Sequence, residues 1–136
     1  MLFRSGGSIK CDISVPVSRI AEFIGKASAE VLALEPATRM VIYGHMGDGN
    51  VHFNPLRPKD RDARDFLAQW YKPVSDLVDG LAHAENGSIS AEHGIGRIKV
   101  EELAHYRTKI ELDVMRSLKR ALDPDNLMNP GKVIQV

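Results

Sequence analysis

The chain has 136 residues, with 18 lysines and arginines and 18 aspartates and glutamates, so its formal net charge is zero. Hydrophobic residues make up 43% and charged residues 26%, proportions that exclude a disordered chain, collagen and a coiled-coil rod. The balanced charge lacks the basic footprint of a nucleic-acid-binding protein, and no apolar run approaches the ~20 residues that span a membrane. Cys11 is the only cysteine, so no internal disulfide can form and we expect a reducing, cytoplasmic setting.

The first third of the chain predicts a strand followed by a helix. Residues 1–7 have no periodicity and are predicted to be a flexible lead-in to a single domain over residues 8–136. Apolar residues then alternate with polar ones up to Pro16, the period-2 pattern of a half-buried strand. Ser18 is the predicted N-cap of a helix that ends near Leu34. The apolar stripe of this helix consists of Ile20, Ile24, Ala27, Val31 and Leu34.

Two further strands, a long helix and a last helix follow in sequence. Residues 38–46 and 51–55 are predicted strands, and Asp48-Gly49 between them is a strong signal for a type I′ hairpin. Residues 60–83 predict a helix that Pro73 should kink or split. Residues 108–122 predict a last helix with Ile110, Val114, Leu118 and Leu122 on one face, and residues 133–134 a short edge strand.

The order of these elements predicts the fold class. A β-α-β-β-α series followed by a loop and a helix is typical of an α+β fold. We therefore expect an antiparallel sheet with helices packed on one face, a ferredoxin-like portion, and a C-terminal helix after it. Trp70, Phe66, Phe53 and Ile24 are expected to be buried together.

The predicted hairpin carries two histidines. If Asp48-Gly49 forms a two-residue turn, His45 lies opposite His52 and Met46 opposite Val51. Directly opposed residues have Cβ atoms ~4.5–5.5 Å apart, so both imidazoles could bind one metal ion. The polar face that these histidines share with Tyr43 and Asn54 could equally be an ordinary solvent-facing side of a sheet.

A glycine-rich loop supplies a second candidate group. Glu92 and His93 are adjacent and are followed by Gly94-Ile95-Gly96. A carboxylate here could complete a two-histidine, one-carboxylate metal site with an open position for substrate. The neighbouring imidazole would then be a proton acceptor, whereas a charged surface loop is the simpler alternative.

Four segments of the chain resemble the FAD-linked oxidases of D-2-hydroxy acids, in the vanillyl-alcohol oxidase flavoprotein superfamily. This family includes D-lactate, glycolate and D-2-hydroxyglutarate dehydrogenases. The hairpin GHMGDGNVHFN at residues 44–54 resembles their glycine-histidine signature, and SISAEHGIG at residues 88–96 resembles their second signature. The strand KCDISVP at residues 10–16 is similar to the one that opens the second half of their substrate domain. A C-terminal signature is matched by residues 122–124 (LDP) and 129–132 (NPGK).

The resemblance implies a role for individual residues. His45, His52 and Glu92 would be ligands of a divalent metal, most readily zinc. His93 would be the base that takes the substrate's hydroxyl proton. The remaining implied contacts are Asn54 and Lys10 with the substrate, Lys10 near its carboxylate, and Asn129 in the segment that returns toward the flavin.

The family resemblance also implies partners that this sequence does not contain. FAD would be held mainly by an FAD-binding domain or subunit ahead of this region, so the chain is expected to be the C-terminal piece of a larger flavoenzyme or a truncated gene product. The substrate would be a small 2-hydroxy acid, and we expect a homodimer. Two rival functions remain open, a non-enzymatic domain that only docks or dimerises and a small metallohydrolase that uses the same two histidines and glutamate.

Overall fold

The computed structural model describes residues 7–136, which form two compact units. The first unit ends at Glu92, and the second covers His93–Val136. The predicted lead-in lies outside the described residues except for Gly7, whose carbonyl oxygen accepts a 3.0 Å hydrogen bond from Arg57 N.

The regular elements confirm the predicted α+β order. They are β1 (Cys11–Ser14), a 3-10 helix (Val17–Arg19), α1 (Ile20–Leu34), β2 (Arg39–Tyr43), a second 3-10 helix (Met46–Asp48), β3 (Asn50–Leu56), α2 (Ala63–Ala84), α3 (Val100–Tyr106) and α4 (Lys109–Leu122). The sequence does not predict α3, because seven residues are too few to display a clear apolar stripe. Residues 133–134, a predicted edge strand, form no strand.

The three strands form one antiparallel sheet in the order β1-β3-β2. Phe53 in the central strand pairs with Cys11 on one side and Ile42 on the other. Because side chains alternate along a strand, these three residues share one apolar face of the sheet. The opposite face carries the polar residues of the same strands.

The apolar face of the sheet is covered by α1 and α2, as predicted. Phe53 and Phe66 are fully buried, and the partly buried Ile24 and Trp70 pack against the same core. Phe23, which is absent from the predicted stripe of α1, is buried with its ring centroid 6.3 Å from that of Phe53. The remaining core side chains of this unit are Ile9, Cys11, Ile13, Val15, Ile20, Ala27, Val31, Val51, Val74, Val78 and Ala82.

Two details of the helices differ from the sequence prediction. Ser18 lies in the first 3-10 helix, and the N-cap of α1 is Arg19, which makes no capping hydrogen bond through its side chain. Instead, Arg19 Nε donates to Glu85 Oε2 at 2.7 Å, which raises the pKa of the guanidinium and lowers that of the Glu85 carboxyl. The sequence predicts that Pro73 kinks or splits the long helix; α2 continues through it, so it does not split the helix.

The second unit contains α3 and α4. Thr108 and Glu111 form a capping box at the start of α4, in which each side chain accepts a hydrogen bond from the other residue's backbone N–H. Leu103 and Leu112 are buried, whereas the predicted apolar stripe of α4 is exposed along its whole length. No helix within residues 7–136 combines the length and the apolar character that a membrane span requires.

Candidate metal and substrate site

The connection between β2 and β3 is longer than the predicted two-residue turn. His52 pairs with Tyr43 instead of His45, a displacement of two residues along β2. The predicted division into two faces survives because the displacement is even, but His45 leaves the sheet and Met46 is exposed. The prediction that His45 faces His52 directly across the hairpin is therefore wrong.

Local hydrogen bonds explain the longer connection. His45 O accepts from Asp48 N at 3.0 Å and from Asn50 N at 3.2 Å, which closes the second 3-10 helix. Gly49 then adopts the left-handed conformation with φ 75°, and its carbonyl oxygen accepts from Val15 N at 3.0 Å. A Cβ at Gly49 would lie 2.2 Å from Val15 O, so no residue with a side chain fits here.

His52 lies in the central strand, on the polar face of the sheet. Its neighbours across the strands are Asp12 in β1 and Tyr43 in β2. Asp12 Oδ1 lies 3.2 Å from His52 Nδ1, and the rings of Tyr43 and His52 have centroids 5.0 Å apart. Only 13% of the His52 side chain is exposed, so its position is fixed from both sides.

The segment before Glu92 runs along the edge of β1 that does not pair with β3. Ser14 and Ser88 exchange two backbone hydrogen bonds, at 3.0 and 2.8 Å. Further along, Asp12 Oδ2 accepts from Ala91 N at 3.1 Å and from Glu92 N at 2.9 Å. These bonds hold the backbone of Glu92 beside the polar face of the sheet.

The Glu92 carboxylate connects the two predicted histidine ligands. Its Oε1 lies 2.9 Å from His45 Nδ1, and its Oε2 lies 3.8 Å from His52 Nε2. Asn50 Nδ2 also donates a hydrogen bond to Glu92 Oε1. The structure thus brings His45, His52 and Glu92 together, although not in the arrangement that the hairpin prediction gave.

This group has the donor chemistry of a divalent-metal site. Two imidazole nitrogens and one carboxylate are a ligand set suited to zinc or to another first-row divalent ion. Asn50, which is 4% exposed, leaves its buried Oδ1 without a hydrogen-bond partner beside this group. The residues present therefore fit a metal ion of this class.

The other predicted site residues have different surroundings. Asn54 is buried in β3, two residues after His52 and on the same face of the sheet, whereas Lys10 is exposed just before β1. His93 is exposed and is the first residue of the second unit. Asn129, also in that unit, is exposed with φ 50°, and its Oδ1 accepts from Lys132 Nζ at 3.0 Å.

Sequence reasoning missed Asp12 and Asn50. Both look like ordinary polar positions, Asp12 in an alternating strand and Asn50 in a turn. A possible signal for Asp12 is that it occupies a polar position in the strand that the family resemblance singles out. Its contact with His52 depends on the register between β1 and β3, which no local pattern specifies.

The two connections that lead into α1 and α2 do not form a cradle for the phosphates of a dinucleotide. Such cradles use a glycine-rich turn between a strand and a helix N-terminus. The connections 15–19, before α1, and 57–62, before α2, contain no glycine. These two connections therefore do not fit the diphosphate of FAD.

The chain is similar to proteins of known activity. A family model for the C-terminal domain of FAD-linked oxidases matches residues 3–133. A D-2-hydroxyglutarate dehydrogenase of Stutzerimonas stutzeri (strain A1501) is 39% identical over 124 residues, which are 91% of this chain and 26% of that protein. A D-lactate dehydrogenase of Archaeoglobus fulgidus is 37% identical over 124 residues, again 91% of this chain and 26% of that protein.

A mammalian relative is similar to nearly the whole of this chain. The mitochondrial D-2-hydroxyglutarate dehydrogenase of Bos taurus is 34% identical over 134 residues, 98% of this chain and 23% of that protein. The predicted family resemblance is thereby confirmed. The chain spans about a quarter of the length of these relatives.

Proposed function

Because the chain belongs to the family of C-terminal domains of FAD-linked oxidases, we propose that it supplies the substrate and metal site of an FAD-dependent dehydrogenase. The reaction is the oxidation of a D-2-hydroxy acid to a 2-oxo acid. The names of the relatives support this class of substrate. The observation that carries the proposal is the Glu92 carboxylate in contact with both His45 and His52.

The metal ligands in this proposal are His45, His52 and Glu92, and zinc is the preferred ion. A divalent ion held there supplies Lewis-acid chemistry, which makes the hydroxyl proton of the substrate easier to remove. The three side chains offer their nitrogen and oxygen atoms at the polar face of the sheet. An ion held there would be accessible to a small ligand, because 67% of the His45 side chain and 45% of the Glu92 side chain are exposed.

The remaining residues bind the substrate and accept its proton. His93, next to Glu92 in the chain, takes the hydroxyl proton. Asn54 donates a hydrogen bond to the substrate, and Lys10 pairs with its carboxylate. A flavin held by another part of the protein would supply the acceptor for the hydride from C2 of the substrate.

The flavin belongs to another part of the protein in this proposal. An FAD-binding domain or subunit carries it, since residues 15–19 and 57–62 lack the glycine-rich turn that a diphosphate requires. Asn129 contributes from the second unit to the flavin environment. The isolated chain is then a metal-binding domain with little oxidase activity of its own.

Metal analysis of the 136-residue chain tests the site. We expect about one zinc ion per chain, since two histidines and a carboxylate form a catalytic-type site. The double variant His45→Ala/His52→Ala should lose this zinc. A control, His83→Ala/His105→Ala, removes two exposed histidines outside the site and should keep the zinc. Equal zinc content in both double variants would contradict the proposed ligands.

Two measurements separate this function from its rivals. A docking domain without chemistry would bind neither zinc nor flavin. A metallohydrolase would bind zinc, and zinc alone would enable it to cleave esters or amides. The proposed dehydrogenase portion binds zinc, hydrolyses neither class of substrate, and supports hydroxy-acid oxidation only when a flavin-carrying domain is joined to it.

A further inference from the structure

We propose that Asp12 is a positioning residue that controls which nitrogen of His52 is offered to the metal and holds Glu92 at the same site. This inference rests on the metal site of the proposed function, and it assigns a role to a residue that makes no contact with the substrate in that proposal. Two sets of contacts support this inference, one made by each oxygen of the Asp12 carboxylate.

The first set of contacts joins Asp12 to His52. Asp12 is 3% exposed on β1, directly across the strand pair from His52 on β3. Its Oδ1 lies 3.2 Å from His52 Nδ1. The two atoms do not meet with hydrogen-bond geometry. A carboxylate oxygen can only accept, however, so the proton of the neutral His52 ring is assigned to Nδ1, the nitrogen that faces Asp12.

The protonation of Nδ1 decides what His52 offers to the site. A neutral imidazole carries one proton, so the lone pair then resides on Nε2. Nε2 is the atom that faces the Glu92 carboxylate, at 3.8 Å from Oε2. Metal-bound histidines usually have this arrangement, in which the second ring nitrogen donates to a carboxylate or carbonyl.

The second set of contacts joins Asp12 to the backbone of the loop. Asp12 Oδ2 accepts from Ala91 N at 3.1 Å and from Glu92 N at 2.9 Å. These bonds fix the main chain at the residue whose side chain contacts both histidines. Asp12 therefore orients one proposed ligand through its ring and a second through its backbone.

The variant Asp12→Asn tests this role with almost no change of shape. The backbone N–H groups of Ala91 and Glu92 are donors, so in this variant they bind the side-chain oxygen of asparagine in place of Asp12 Oδ2. The Asn amide nitrogen must then face His52 Nδ1, and as a donor it moves the ring proton to Nε2. We expect the zinc affinity of the 136-residue chain to fall 10- to 100-fold, the usual range for outer-shell partners.

The tautomer of His52 is the readout that a merely structural role would not change. It is measured by nitrogen NMR of the metal-free chain at alkaline pH. The wild type should carry its proton on Nδ1 and Asp12→Asn on Nε2. Asp62→Asn is the matched control, since Asp62 also accepts from two backbone N–H groups, those of Arg64 and Asp65, at the start of α2. The control should change neither zinc affinity nor the His52 tautomer.

The outcomes distinguish this inference from the proposed function. A wild-type His52 protonated on Nε2 overturns the role of Asp12, and so does an Asp12→Asn variant that binds zinc within twofold of the wild type. A wild-type chain that binds no zinc overturns the metal site itself, and with it the role of Asp12 toward a metal. In that case, a His52 ring that carries its proton on Nδ1 would show only that Asp12 orients His52.

Discussion

At the scale of single residues, the site depends on how adjacent side chains divide their roles. Glu92 is held through its backbone N–H by Asp12, and its carboxylate contacts His45 and His52. His93 follows it immediately and is exposed. In the proposed function Glu92 is a metal ligand and His93 a proton acceptor, so their replacement should have different consequences.

We predict that Glu92→Ala removes the bound metal, whereas His93→Ala retains it. Removing a ligand abolishes one of three donor groups, while removing a base leaves the donor set complete. In a complete flavoenzyme, His93→Ala should instead slow hydroxy-acid oxidation by the 10²–10⁴-fold that a general base typically contributes. Zinc content and the rate of flavin reduction, followed by its bleaching, measure the two effects separately.

If either substitution unfolded the loop, that variant would lose both metal binding and proton transfer. A difference in zinc content between Glu92→Ala and His93→Ala therefore controls for unfolding. If His93→Ala loses the zinc and Glu92→Ala keeps it, the two roles are reversed. The loop would then present its imidazole to the metal and its carboxylate to the substrate.

At the scale of elements, the end of α4 is stabilised by a single carboxylate. Asp123 accepts from Lys119 Nζ and from the backbone N–H groups of Leu127 and Met128, both at 2.9 Å. The lysine ammonium and these two amides lower the pKa of the Asp123 carboxyl. The carboxylate thereby connects the last turn of α4 to the turn that follows it.

A lowered pKa in the folded state fixes the sign of the pH dependence. The unfolded group titrates near its usual value of about 3.9, so the stabilisation is fully present above that pH. We predict that it is lost as the pH falls below about 3.9 and through the lower folded-state pKa. NMR shifts of the Leu127 and Met128 amides should report this loss.

Two variants check the assignment to Asp123. Asp123→Asn should remove most of the acid-induced change of the two amides, because its side chain does not ionise. Asp125→Asn changes an exposed carboxyl in the same turn and should leave that change in place. An unaltered acid transition in Asp123→Asn would show that another group is responsible.

At the scale of the whole molecule, the second unit displays an unusual apolar surface. We call the residues Ile110, Val114, Leu118 and Leu122 the α4 stripe; their exposed fractions are 77%, 54%, 59% and 77%. They are spaced at i, i+4 intervals and so form a continuous ridge on one side of the helix. Exposed apolar patches tend to be covered by another molecule, so this ridge is a candidate contact surface.

We predict that the α4 stripe makes the isolated 136-residue chain self-associate, at least to a dimer. Apolar surface that remains in contact with water favours its own burial against a second copy. Leu118→Glu should shift the chain toward the monomer in sedimentation velocity. Val17→Glu places the same charge on another exposed apolar side chain and should not. A wild-type chain that sediments as a monomer at all concentrations would contradict this prediction.

The sequence by itself determined the fold class, the core and the identity of the proposed ligands. Alternation in residues 9–15 is a local pattern that predicts which side of β1 is buried. The helical spacing of Phe66 and Trp70 does the same for α2. The histidines and the Glu92 loop were recognised because their residue types and order carry the family resemblance.

Tertiary structure alone decided how those residues meet. A turn signal at Asp48-Gly49 could not reveal that His45 O binds two amides and lengthens the loop. The position of Asp12 beside His52 depends on pairing between strands that are distant in the chain. Such pairing is set by the packing of the whole apolar face, because displacing a strand by one residue would exchange its buried and exposed sides.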